Sequence, residues 1–209
     1  MQFNLKTLLE TGGHEGLIGK LEHRYESITT VVKLLLKMER PVMVETGIMS
    51  STLLHAQGCS SLIFAEVAKQ TGGMLCSVDK NIDNIDWCMK FLWRYYPDFF
   101  EPFYKDSVSF LMDIVAYVDL LYLDSYDFYP GSEEDSRFHQ LQEIKTAWSC
   151  LRSGSLILLD DVNPQRWFKE RLEGKDIEGK SYYAHRWIME KPVECLIDFP
   201  AYQRLYRVK

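Results

Sequence analysis

The chain lacks any apolar run approaching the roughly 18 residues that cross a bilayer. Its start, MQFNLKTLLETGG, lacks the basic-then-apolar layout of a secretion signal. A membrane is therefore not an expected partner, and the chain reads as soluble and cytoplasmic. Cysteine is sparse and odd in number, with Cys59, Cys76, Cys88, Cys150 and Cys195 forming no CxxC pair and having no neighbouring histidine at zinc spacing. A disulfide framework and a zinc site are excluded, and reduced, mostly buried thiols are expected. Excess positive charge is missing too: a formal net charge of -6 gives no general attraction to polyanions, so nucleic acid is not an expected partner. No repeat and no Ser/Gly/Pro-rich tract suggests a long disordered region.

What remains is 209 residues of ordinary globular composition, enough for one domain with a substantial core. Three parts are expected within it: a helical cap over 1–40, a core over 41–163, and a helix with a β-hairpin over 164–209. The cap contains a helix over 24–39, because Ile28, Val31, Val32, Leu35 and Leu36 recur at helical spacing, and Pro41 ends it. Five apolar runs then read as buried strands: PVMVET, LCSVD, PFYKDS, DLLYLD and SLILLDD. Each finishes on a polar or acidic residue. Between them lie helical stretches beginning at SSLIF, NIDNI, SVSFL and HQLQE, the last ending at LRSG as a glycine cap. This alternation predicts an α/β fold of Rossmann-like, doubly wound type with a mainly parallel sheet. After a helix KSYYAHRWIMEK, the runs VECLIDFP and AYQRLYRV have no helix between them, so the sheet should end in an antiparallel hairpin.

Ligands of such sheets lie at the carboxyl ends of the strands, where the acids sit. Asp79 is placed to accept ribose hydroxyls. Counted back from it, Gly58 lies at the usual spacing of about 20 residues, while Gly47 lies well beyond. Ser60 and Ser61 should then cap the true helix start, and 48–57 should be an inserted flap carrying His55 near the cofactor or acceptor. No G-x-G-x-x-G is present to approach a pyrophosphate, and Glu45 at the strand end repels phosphate but suits an ammonium group. Ribose, no phosphate and an α-amino group describe S-adenosylmethionine.

VETG, SVDKN, the KDS after the third strand, LLYLDSYD and LRSGSLILLDD resemble the successive motifs of the class I S-adenosylmethionine-dependent methyltransferases. The resemblance spans roughly residues 25–209 and implies a seven-stranded sheet with an antiparallel last strand. It also implies Glu45 and Gly47 near the methionine part of the cofactor, with Thr46 between them in the expected cofactor set, Asp79 on its ribose, and Asp106 with Ser107 near its adenine. Ser60, Ser61 and Asp124 complete the expected cofactor set.

Asp124 ends one strand and Asp160 with Asp161 ends the next, about 4.8 Å away if the two are neighbours. Uncompensated, three carboxylates there would repel one another. A divalent cation would resolve this, and oxygen-only ligands favour Mg²⁺, Mn²⁺ or Ca²⁺. The layout is similar to the metal-dependent small-molecule and sugar O-methyltransferases, which implies Asp124, Asp160 and Asp161 as metal ligands. A loop cap without metal is the alternative. The lysine base of the catechol enzymes has no counterpart, since Asp127 stands at its position. Asp127 and His139 are the candidate general bases, a histidine's ordinary titration range suiting the task.

Tyr126, Phe128, Tyr129, Trp167, Phe168, Tyr182, Tyr183 and Trp187 follow strands, where they would wall an acceptor pocket or simply pack as core or interface. A homodimer is one arrangement open to the chain. The acidic stretch GSEEDSR (131–137) is expected to be solvated or a lid. The expected activity is metal-assisted O-methylation of a small molecule or glycan. A catalytically idle nucleotide-binding protein and an NAD-dependent oxidoreductase are the alternatives.

Overall fold

The computed structural model describes residues 21–48, 59–129, 131–162, 179–198 and 201–209. The strands are β1 (Val42–Thr46), β2 (Met74–Asp79), β3 (Phe100–Tyr104), β4 (Val118–Leu123), β5 (Leu151–Leu159), β6 (Val193–Ile197) and β7 (Arg204–Val208). They form a seven-stranded sheet in the order β3-β2-β1-β4-β5-β7-β6. β1 with β2, β2 with β3, and β4 with β5 are parallel, whereas β7 runs antiparallel to both β5 and β6. This is the Rossmann-like sheet with an antiparallel last strand that the alternation of strands and helices implies. Contacts divide the chain into two compact units, one ending at Asp106 and one beginning at Ser107.

In the first unit, helix α1 (Tyr25–Leu35) buries Ile28, Val31, Val32 and Leu35 completely, as their spacing requires. It stops short of residue 39, and the chain leaves through Arg40 at φ 50° into Pro41. Helix α2 (Cys59–Thr71) returns to β2 through Gly72 and Gly73. A Cβ on Gly73 would lie 2.3 Å from the Pro41 carbonyl oxygen, so only glycine lets the two segments approach. Helix α3 (Ile82–Phe91) is capped by the Asn81 side chain, which accepts from the Asp83 N–H at 2.9 Å. β3 starts before PFYKDS, and it tolerates Pro102 because it is an edge strand.

The second unit holds helices α4 (Ser107–Met112), α5 (Glu133–Ala147) and α6 (Tyr182–Ile188). Leu120, Leu121, Leu123 and Leu156 to Leu159 are fully buried, as expected of strands covered on both faces. Two expectations are corrected here. GSEEDSR is solvated as expected at Gly131, Glu134 and Asp135, but it is not a loop: Glu133, Glu134 and Asp135 form the first turn of α5, where the positive end of the helix favours acids. LRSG is not a helix cap, because the helix ends at Ala147 and Leu151 already opens β5. Gly154, at φ 93°, instead serves an irregularity in the β4–β5 register, where the Ser155 hydroxyl donates to the Val118 carbonyl at 2.6 Å.

Cys76, Cys88, Cys150 and Cys195 are free thiols. Among the described residues no helix is long and apolar enough to cross a membrane. The flap with His55, beyond Ile48, and the aromatics Trp167 and Phe168 lie outside the described residues.

Candidate functional site

At the end of β1 the chain turns through Gly47, held at φ 86°, a left-handed conformation that costs other residues about 1–2 kcal/mol. The Gly47 N–H donates to the Val78 carbonyl at 2.9 Å, so the turn stays tied to β2. Glu45 precedes it and is wholly buried, as is Thr46. Three serines surround the Glu45 carboxylate. Ser60 donates to Oε1 at 2.5 Å, and Ser61 and Ser77 donate to Oε2 at 2.6 and 2.7 Å. Ser77 stands opposite Glu45 in the parallel register, and Ser60 and Ser61 lie inside the first turn of α2 rather than capping it from outside. Burial pushes the Glu45 carboxyl up to about 7, and the serine hydroxyls only partly offset this. Glu45 thus has three hydroxyl partners where the sequence suggested an ammonium group.

Asp79 closes β2, partly exposed. Its Oδ1 accepts from the Asn81 N–H at 2.7 Å, and its Oδ2 accepts from Asn84 Nδ2 at 3.0 Å and from the Ile48 N–H at 3.3 Å. The acid therefore fixes both its own turn and the one after Gly47. Asp106, before α4, is exposed.

In the second unit the structure does bring Asp124, Asp160 and Asp161 together, and it adds a partner that spacing could not reveal. Lys180 is 1% exposed, and its Nζ lies 2.8 Å from Asp124 Oδ1 and 3.3 Å from Asp161 Oδ2. The other oxygens are also met. The Tyr122 hydroxyl lies 3.1 Å from Asp124 Oδ2 and 2.9 Å from Asp160 Oδ2, Gln203 Nε2 donates to Asp160 Oδ1 at 3.1 Å, and the Tyr202 hydroxyl donates to Asp161 Oδ1. Asp161 adopts φ 51°, a left-handed conformation in which aspartate is enriched. Burial alone would lower the Lys180 ammonium, but Asp124, then Asp161 and Asp160, raise it above the ordinary lysine value.

The expected divalent cation was inferred from charge that had no counter-ion. That premise is corrected by Lys180, and as they stand these residues do not fit a metal, because an ammonium already takes the inner oxygens of Asp124 and Asp161. Among the described residues no group of three His, Cys, Asp or Glu side chains is arranged to hold a metal ion.

His139 sits in the second turn of α5, not at its start. Its Nε2 lies 2.9 Å from Ser107 Oγ and 3.5 Å from Glu143 Oε1. Glu143, buried, also accepts from Ser125 Oγ at 2.6 Å. Burial would raise its carboxyl, but His139 and the Ser125 and Ser107 hydroxyls hold it below the usual carboxylate value. Sequence reasoning missed Glu143 and Ser125, although the i,i+4 spacing of His139 and Glu143 was a usable signal. Asp127, the other candidate base, is exposed, and its carbonyl accepts from Ser132 Oγ at 3.2 Å.

Several aromatics pack against one another and against Arg137. Tyr182 and Tyr183 meet at a tilt of 58° with ring centroids 5.1 Å apart, Phe138 meets Tyr183 at 4.9 Å, and the Arg137 guanidinium lies 5.5 Å from the rings of both Phe128 and Tyr182. Trp187 meets Trp148 edge-on at 5.3 Å. Tyr126 lies beside the His139 ring, with centroids 5.5 Å apart.

No protein-family model matches the chain, and no curated protein matches it by sequence. Solved structures do match by fold. The SAH-bound methyltransferase PaMTH1 of Podospora anserina superposes with a TM-score of 0.62 at 15% identity, covering 100% of this chain and 98% of its own. The O-methyltransferase TomG of Streptomyces achromogenes, involved in tomaymycin synthesis and solved with SAM, gives 0.57 at 14%, covering 98% and 94%. The N-methyltransferase NodS of Bradyrhizobium japonicum gives 0.55 at 14%, covering 90% and 97%. The chain has the fold of these methyltransferases.

Proposed function

We propose that the protein transfers a methyl group from S-adenosylmethionine to a hydroxyl of a small molecule or glycan. The observation that carries this reading is the β1 turn, in which a left-handed Gly47 follows buried Glu45 while Asp79 holds the next N–H from the end of β2. Such a turn, with one glycine and an acid in place of a glycine-bared phosphate cradle, suits a cofactor that has a ribose but no phosphate. The fold shared with SAH- and SAM-bound methyltransferases agrees with it.

S-adenosylmethionine, when bound, supplies an electrophilic methyl group on its sulfonium. In this reading Gly47 and Thr46 give the cofactor a close backbone approach, Glu45 braces the turn through Ser60, Ser61 and Ser77, and Asp79 accepts the ribose hydroxyls. Asp106 and Ser107 would flank the adenine, although the Ser107 hydroxyl is already engaged by His139. His139 would take the acceptor proton at Nδ1, with the imidazole held in place through Nε2 by Ser107 and Glu143. Asp127 is the weaker candidate, since it has exposure but no such support. The metal-assisted form has three convergent acids in its favour and the Lys180 ammonium against it. The NodS likeness makes a nitrogen acceptor the competing outcome.

Calorimetric titration with S-adenosylmethionine and with NAD tests the reading. S-adenosylmethionine should bind at micromolar concentration and NAD should not. Asp79→Ala should weaken it about 10- to 100-fold, as losing hydrogen bonds to a charged group does. Absence of binding by both S-adenosylmethionine and its demethylated product would end this reading, and binding without transfer to any acceptor in a screen would make the protein a nucleotide-binding one.

A further inference from the structure

The acid cluster at the ends of β4 and β5 resembles a metal cage by composition, yet its interior is occupied by a side chain. Lys180 reaches Asp124 and Asp161 with one ammonium, and its own N–H donates to the Asp161 carbonyl at 2.9 Å, so the lysine is tied to the loop it neutralises. The flanking residues are pinned as well. The Gly179 N–H donates to the Val162 carbonyl at 2.9 Å, and Arg137 Nε donates to the Gly179 carbonyl at 3.3 Å. Ser181 Oγ accepts at 3.3 Å from buried Arg204, which pairs with Asp198 at 2.7 Å.

A divalent ion needs several oxygens within about 2.0–2.6 Å of one point. An ammonium directed at the same oxygens excludes it by charge as well as by volume. Admitting a metal would require the Lys180 side chain to leave a buried position, breaking two ion pairs. We propose that Lys180 is the resident cation of this cluster, so that the protein neither binds nor uses a divalent metal there. Lys180 is then a positioning residue, fixing Asp124 at the end of β4 against Asp161 at the end of β5. Only the reaction served by the cluster rests on the proposed function, and metal binding is read without methyl transfer, so either idea can fail alone.

The test is a Mn²⁺ titration of the full chain after chelator treatment, with free ion read by its electron paramagnetic resonance. The wild type should leave Mn²⁺ free up to about 100 μM, a concentration that fills many oxygen cages. Lys180→Met, which keeps the stem and removes the charge, should gain a Mn²⁺ site at least about tenfold tighter than any in the wild type, and adding Asp161→Asn should abolish it. Stoichiometric binding by the wild type that Asp161→Asn removes would overturn the proposal, as would a folded Lys180→Met protein with no gain. If Lys180→Met does not fold, the wild type compared with Asp161→Asn decides the question by the same criterion.

Discussion

Glu45 shows how burial reassigns a residue whose type was informative. Its carboxyl is pushed up to about 7, against an ordinary value of 4.5. A group raised in this way ionises first in the unfolded chain, so folding stability falls as pH rises from about 4.5 to about 7. Glu45→Gln removes that titration while keeping groups able to bond the serines. Compared with wild type, the variant should gain up to about 3 kcal/mol between pH 4.5 and 8, since each pKa unit is worth about 1.4 kcal/mol. Urea unfolding of both proteins at the two pH values measures it, and parallel pH dependences would refute the assignment.

At the scale of elements, the close approach of the α2–β2 turn to Pro41 fixes how β1 begins beside β2. The Met74 N–H donates to the Pro41 carbonyl at 2.9 Å, the same oxygen a Gly73 Cβ would strike. Gly73→Ala should destabilise the protein by about 1–3 kcal/mol, as overpacking does, seen as a lower denaturant midpoint with unchanged slope. Elements were legible in the sequence where their pattern was local. The α1 stripe, the apolar β4 and β5 runs and the final hairpin all read correctly, because side-chain periodicity reports which face is buried. At the acidic start of α5 the exposure read correctly and the helix did not, because charged residues signal solvent and only their place in a first turn makes them helical. LRSG failed for a related reason: Gly154 marks a left-handed residue, and such a residue serves a strand irregularity as readily as a helix cap.

For the molecule as a whole, the antiparallel β7 does more than complete the sheet. Inserted between β5 and β6, it covers the β5 edge, and the residues entering it carry Tyr202 and Gln203 to the acids of the preceding strand. Removal of residues 193–209 should expose the apolar β5 as an edge and take Gln203 from Asp160 and Tyr202 from Asp161. The shortened chain should aggregate, as read by light scattering, and a monomeric, cooperatively unfolding product would contradict this role.

The sequence by itself determined the alternation of strands and helices, the hairpin at the end, the acids at the strand ends and the glycine turn after β1, since each depends on neighbours within a few positions. What balances those acids was decided only in three dimensions. Lys180 is 56 residues from Asp124, and Gln203 is 43 from Asp160. No period connects such pairs; strand register and the course of the chain bring them together. Carboxylates that in one dimension call for a metal ion are therefore matched in the folded protein by an ammonium, two phenol hydroxyls and an amide.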